Sequence, residues 1–269
     1  MRMFFKILKI CIFIVIFLTL SLFSAAFLFQ EKVADVVLNQ LNKSLSTNIE
    51  LGSFSFSFIR RFPQASLNLK DVTVFSSPNF DKKAFGSVAI DTLLTAKSIS
   101  VEFKIPDILK HNYTVASVNI TDGRVNLFSD RLGMVNYNVE MKGEGGKDTE
   151  LILDLEKINL NRVYLSYLNL AIDLSLKANI SNARLKSRIS GDNIDFKAQA
   201  RMQTDSFSFS GFSLPVPVIT ELETELQTSD ISTHIKKGIL VLDKYRFDIT
   251  GAYQNEKYYD FRLNSKEKH

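Results

Sequence analysis

The sequence predicts a mainly β protein: an N-terminal transmembrane helix and an amphipathic helix, followed by a long antiparallel sheet. Three observations predict it. Residues 10–29 read ICIFIVIFLTLSLFSAAFLF, with no charge. Residues 30–47 repeat apolar side chains every four positions. From Ile49 onward the apolar period falls to two, the period of a strand with one wet face. The expected order is a basic cytoplasmic N-terminus (1–9), a transmembrane anchor (10–29), an amphipathic helix (30–48) and a β domain (49–269).

The anchor follows from length and charge. Twenty apolar residues at 1.5 Å rise match a hydrocarbon core of about 30 Å. Arg2, Lys6 and Lys9 precede the span. A positive leading flank keeps the N-terminus cytoplasmic and sends the body across. Ser24-Ala25-Ala26 offers a small-residue cleavage site, but the apolar run continues through Phe27, Leu28 and Phe29. A signal-peptide core is shorter, about 7–15 residues. An uncleaved anchor from Ile10 to Phe29 is therefore expected.

The next segment carries Val33, Val37, Leu41 and Leu45 on one stripe. Glu31 and Asp35 lie early and Lys43 late, as the helix dipole favours. This helix is expected to lid the first strands.

The strands follow as alternating runs. The first half shows Phe54-Phe56-Phe58, Leu67-Leu69, Val72-Val74, Ile99-Val101-Phe103-Ile105, Val118-Ile120, Val125-Leu127 and Val135-Tyr137-Val139-Met141. The second half shows Leu151-Leu153-Leu155, Ile158-Leu160, Val163-Leu165-Tyr167, Ile172-Leu174-Leu176, Ile194-Phe196-Ala198 and Phe207-Phe209. Leu214-Val216-Val218, Ile239-Val241, Tyr245-Phe247-Ile249 and Tyr259-Phe261-Leu263 close the series. Turns are expected at Ser77-Pro78-Asn79, Thr121-Asp122-Gly123, Asp130-Arg131-Leu132-Gly133 and Gly143-Glu144-Gly145-Gly146. Pro215 and Pro217 bar a central strand along the whole of 214–218. One internal echo stands out. Val118-Asn119-Ile120 and Gly123-Arg124-Val125-Asn126-Leu127 resemble Ile158-Asn159-Leu160 and Arg162-Val163-Tyr164-Leu165. Two strands joined by a short turn would make one repeated unit.

Composition narrows the function. The chain has 22 Phe and 8 Tyr but no Trp, which suits apolar bulk without a hydrogen-bonding handle. Net charge is +4, with Lys and Arg scattered and no basic arm for nucleic acid. Cys11 is the sole cysteine, so neither an intramolecular disulfide nor a thiolate metal site can form. His111, His234 and His269 have no metal-ligand spacing. Nucleophile elbows, P-loops and dinucleotide fingerprints are absent, and carboxylates stand singly. No enzyme, cofactor or metal is expected.

Residues 62–74, FPQASLNLKDVTV, follow the anchor and helix in the manner of AsmA-family envelope proteins. Ala96-Lys97-Ser98-Ile99 and Ile120-Thr121-Asp122-Gly123-Arg124-Val125-Asn126-Leu127 add to the resemblance. Asp130-Arg131-Leu132-Gly133-Met134-Val135-Asn136-Tyr137 is similar to that family's D-x-x-G-x-x-N-aromatic ending, of Bacteroidota type. The first half carries these motifs; the second resembles the family only by strand pattern. The resemblance implies a chorein-like, curved antiparallel β-groove with an apolar inside. It also implies a bacterial inner-membrane anchor, a periplasmic body and lipid transport toward the outer membrane. Family members are usually longer, so the groove is expected to be incomplete at its C-terminus.

Residues 53–57, SFSFS, put aromatics on one face and hydroxyls on the other. The lipid-groove candidates are Phe54, Phe56, Phe58, Leu67, Leu69, Val72, Val74, Ile99, Val101, Phe103, Val125 and Leu127. Expected partners are phospholipid acyl chains, the inner membrane and other envelope proteins, with no nucleic acid. The rival expectation is a β-sandwich scaffold for outer-membrane protein assembly or targeting, its apolar face covered by a second sheet.

Overall fold

The computed structural model describes residues 46–57, 64–77, 80, 85, 90–104, 115–138, 157–190, 193–229, 232–254 and 258–266. The anchor from Ile10 to Phe29, most of the amphipathic helix, Phe58, the run at Leu151–Leu155 and the glycine-rich turn at Gly143 lie outside these residues.

The described strands are β1 (Ile49–Glu50), β2 (Ser53–Ser57), β3 (Gln64–Phe75), β4 (Thr92–Lys104), β5 (Val115–Ser129), β6 (Lys157–Asn169) and β7 (Leu174–Ser190). They continue as β8 (Asn193–Phe209), β9 (Phe212–Ser213), β10 (Val218–Thr228), β11 (Ser232–Leu242), β12 (Tyr245–Gln254) and β13 (Tyr258–Lys266). All thirteen belong to one open sheet in the order β1-β3-β4-β5-β6-β7-β8-β10-β11-β12-β13. β2 also pairs with β3, and β9 with β8. Among the described residues there is no second sheet, and β13 does not return to β1.

The expected all-antiparallel ladder needs one correction: β5 and β6 are parallel. Parallel neighbours require a crossover that runs back along the sheet, and residues 130–156 make that connection. The pairing explains the internal echo. Val118 faces Ile158, Gly123 faces Val163 and Val125 faces Leu165. The related segments therefore lie side by side. Asn159 Nδ2 donates to Asn119 Oδ1 at 2.6 Å, and the Arg124 guanidinium sits 4.4 Å from the Tyr164 ring centroid.

A second correction concerns Thr121-Asp122-Gly123, which does not turn the chain. It lies inside β5, and the two expected strands on either side are one. The halves read around Asn161-Arg162 likewise join as β6, and those around Asp71 as β3. Asp71, Asp122 and Arg162 have φ of 51°, 53° and 52°, the left-handed region. Asx residues visit it most readily. Such a residue shifts the side-chain alternation by one. Leu67 and Leu69 therefore share a face with Val72, and Ile120 packs on the same clusters as Val125 and Val118.

These breaks form a line across the sheet. By register, Asp71 lies opposite Lys97, Lys97 opposite Asp122, Asp122 beside Arg162, and Arg162 opposite Ser181. At β8 the line ends: Ile180 faces Met202 while Asn182 faces Arg201, so Ser181 is bulged out. Arg162 grips Asp122 with two bonds, Nε to Oδ1 at 2.5 Å and Nη2 to Oδ2 at 3.0 Å. Gly123 fits the crowding here, because a Cβ would lie 2.6 Å from the Thr95 carbonyl oxygen.

The alternation at Val135-Tyr137 was expected to make a strand, and only Val135 bridges, to Ser129. Asp130 and Gly133 close a turn instead. Asp130 Oδ1 accepts from the N–H groups of Leu132 (2.8 Å) and Met134 (2.9 Å), and Gly133 takes φ 81°. The turn swings Asn136 into full burial. There its Oδ1 accepts from Phe128 N–H at 2.7 Å. Its Nδ2 donates to Ser76 Oγ and to the Asn126 carbonyl, both at 3.0 Å. Ser76 Oγ donates on to the Ile90 carbonyl at 2.5 Å. Beside this lock, Phe80, Phe85, Ile90 and Phe128 form a small core.

Asn136→Ala orphans buried donors and acceptors, so the unfolding free energy should fall by about 3 kcal/mol. Urea denaturation measures it, and a loss under about 1 kcal/mol would remove Asn136 from this role.

Hydrogen bonding from Arg162 holds the Asp122 carboxyl below its ordinary value of 3.8. A depressed carboxyl stabilises the fold above its unfolded value, and that contribution disappears as pH falls through the folded value. Arg162→Gln should therefore lose less stability than wild type between about pH 6 and about pH 2.5. Equal losses would mean the pair has no thermodynamic weight.

Candidate functional site

The sheet has two chemically distinct faces. On one, apolar side chains run from β1 to β13. Ala65, Leu67, Leu69, Val72, Ala96, Ile99, Val101, Phe103 and Val115 form its first cluster. Val163, Ile180 and Ala183 continue it, with Leu160, Leu165, Ala200 and Met202 against them. By register it passes through Leu222, Leu240 and Phe247 to Ile249 and Leu263.

Cover on this face falls off along the chain. Leu67 and Phe103 are wholly buried, whereas Tyr245 is 61%, Phe261 59% and Leu263 57% exposed. Phe209 and Phe212, opposed at the β8–β9 hairpin, are exposed too.

Of the candidates read from sequence, Leu67, Leu69, Val72, Ile99, Val101 and Phe103 are buried against one another. Val74 packs on that cluster, and Val125 on the next. Leu127 is half-buried opposite Tyr167. Phe54 is exposed opposite Leu69, and Phe56 stands opposite Leu67 in the ladder. Phe58, Ile10 and Phe29 lie outside the described residues. Besides Phe54, the exposed side chains of this face include Ile194, Phe209, Phe212, Tyr245, Phe261 and Leu263. Sequence reading placed Ile194, Phe209, Tyr245, Phe261 and Leu263 in strands without singling them out and missed Phe212, because burial depends on what covers a face and alternation does not report that.

The other face is polar. At the strand ends near Gln64 and Lys157 it lines a half-open cavity of about 920 Å³. Its wall draws on eight strands from β3 to β11, including Glu102, Lys157, Lys186, Arg188, Asp195, Lys197, Glu225 and Lys236. A wall shared by so many neighbours means that the sheet bends toward its polar side here. The resemblance to a groove implies a hollow on the opposite, apolar side. The basic lining also escaped the sequence reading, which saw scattered lysines. The signal was the period-two run Arg184-x-Lys186-x-Arg188, which puts three cations on one face of β7.

Elsewhere on the polar face charges are matched across strands. Arg201 lies 3.6 Å from Glu221, and Lys237 2.6 Å from Glu223. The hydrogen bond from Lys237 holds the Glu223 carboxyl below its ordinary value. Among the described residues no group of His, Cys, Asp and Glu could hold a metal ion.

No protein-family model, curated protein or solved structure matches the chain.

The burial gradient has a direct consequence. Phe103→Ala should cost about 3–5 kcal/mol by leaving a cavity. Phe261→Ala should stay within about 0.5 kcal/mol, as exposed positions do. Chemical denaturation of both variants tests this, and equal costs would show that Phe261 is covered in solution.

Proposed function

We propose that this chain is a non-enzymatic lipid-handling protein of a bacterial envelope, of the AsmA type. In this reading residues 10–29 hold it in the inner membrane and the sheet lies in the periplasm. Acyl chains of phospholipids rest on the apolar face and move toward the outer membrane.

One observation carries the reading: an apolar face that crosses the neighbouring strands of an unclosed sheet and is exposed at the β8–β9 hairpin, at Tyr245 and along β13. Exposed aromatic and aliphatic side chains on one face suit an apolar ligand. The energetics allow exchange. Burying a CH₂ is worth ~0.8 kcal/mol, so a 16-carbon chain gains roughly 13 kcal/mol on leaving water. A bilayer offers nearly the same, so transfer between bilayer and sheet is close to neutral and needs no local fuel. The eleven-strand path spans about 50 Å at 4.8 Å per strand. A longer bridge would need a further copy or a partner protein.

A phospholipid with a photoreactive group in its acyl chain tests the proposal. The full-length chain, reconstituted in vesicles, should be labelled on peptides covering β12 and β13. Leu263→Glu should reduce that labelling several-fold, because a charge in an acyl contact is costly. Labelling no stronger there than on peptides covering β3 and β4, whose apolar side chains are buried, would reject it and favour the assembly scaffold.

A further inference from the structure

The polar-face cavity contains a row of like charges that the fold neutralises only in part. Lys157 is directly opposite Lys186, and Lys186 directly opposite Lys197. All three line the cavity. Like charges directly opposite on one face destabilise a sheet. Lys197 is compensated by Glu225 at 2.9 Å. Arg188 faces Asp195 across the ladder, but Asp195 is taken by Lys236, also at 2.9 Å. Among the described residues the side chains of Lys157, Lys186 and Arg188 have neither an ion pair nor a hydrogen bond. In all, the lining holds two more cations than carboxylates.

The contrast with the rest of this face gives the row its meaning. Arg162 with Asp122, Arg201 with Glu221, and Lys237 with Glu223 are cation–carboxylate pairs across neighbouring strands. Three cations without an ion pair of their own line one hollow, where they repel one another. A bound anion would offset that repulsion.

We propose that this cavity is a binding site for a phosphate-bearing anion, held by Lys157, Lys186 and Arg188. A phosphate group has several acceptor oxygens and about two charges, which suits a guanidinium fork beside two ammonium groups. The cavity falls within the ~300–1,000 Å³ of small-molecule sites, so it accommodates more than the phosphate itself. The phosphate belongs either to a free small molecule or to a lipid headgroup. This site stands independently of acyl binding on the opposite face.

The test uses the full-length chain in a neutral detergent, titrated with inorganic pyrophosphate in a calorimeter. A parallel arm measures binding to phosphatidylcholine vesicles with and without phosphatidic acid. Pyrophosphate should bind and raise the melting temperature. The double variant Lys186→Gln/Arg188→Gln should weaken binding at least tenfold, about 1.4 kcal/mol. Lys177→Gln, on the same strand but outside the cavity, should leave it unchanged. Vesicle binding that needs phosphatidic acid and is lost in the double variant, without pyrophosphate binding, would support the site and assign it to a headgroup. Lys157→Gln, on the neighbouring strand, should also weaken binding if the double variant fails to fold. Binding in neither arm, or equal losses in Lys177→Gln, would overturn the proposal.

Discussion

The architecture depends on a constraint of parity. Side chains alternate along a strand, so one extra residue sends everything beyond it to the opposite face. Asp71, Asp122 and Arg162 each introduce such a shift in mid-strand. A single shifted strand would put valines and leucines on the wet side. The sheet avoids this because β3 through β7 shift together, along one line. Apolar residues before and after the line therefore stay on the same face and in register. Where the shift stops, β7 bulges Ser181 out and β8 passes directly from Arg201 to Met202. The two-faced chemistry of the molecule follows from this coordination.

The residues on the line suit it. Aspartate tolerates the left-handed backbone better than most residues, and arginine does not. Arg162 is held there by its two bonds to Asp122, its register neighbour on the parallel strand. Lys97 adds a further positive charge that favours the Asp122 carboxylate. Acid and base thus alternate from Asp71 through Lys97 and Asp122 to Arg162. The parallel pairing of β5 and β6 brings the last two together. That pairing rests in turn on the crossover after β5, whose first turn is pinned by the buried Asn136. Asn136 joins Phe128, Asn126 and Ser76 in one network, so the exit from β5 and the connector between β3 and β4 are locked together.

The period-two signal made most strands legible, since a face that excludes water leaves its mark at every second residue. It failed where one local preference serves two structures. Asp122-Gly123 favours a left-handed backbone, which a hairpin turn and a mid-strand break both use. Only the echo forty residues later, in Asn161-Arg162, hinted that two strands break side by side. The direction of that pairing was invisible, because alternation is the same in parallel and antiparallel ladders. Val135 and Tyr137 alternate like a strand, yet Asp130 bonds its own backbone first and turns the chain. Among the groove candidates, alternation placed Leu67 and Phe103 on the right face but could not tell a buried section from an open one. The basic row was hidden differently. Lys157, Lys186 and Lys197 are far apart in sequence, and register alone brings them together.

Among the described residues the apolar face has no second sheet over it, and β13 leaves its apolar side chains exposed. Tyr245, Phe261 and Leu263 leave more than half of their surface exposed. The uncompensated cations of the polar cavity want negative charge where the apolar face wants hydrocarbon. Lipids with phosphate headgroups carry both properties in one molecule. The two faces need not hold the same one: a sheet stands between them, with side chains on either side. In the proposed reading the apolar face takes up acyl chains and the cavity at the strand ends binds phosphate. The coordinated parity shift makes this division possible, because without it hydrocarbon and charge would be mixed on both faces.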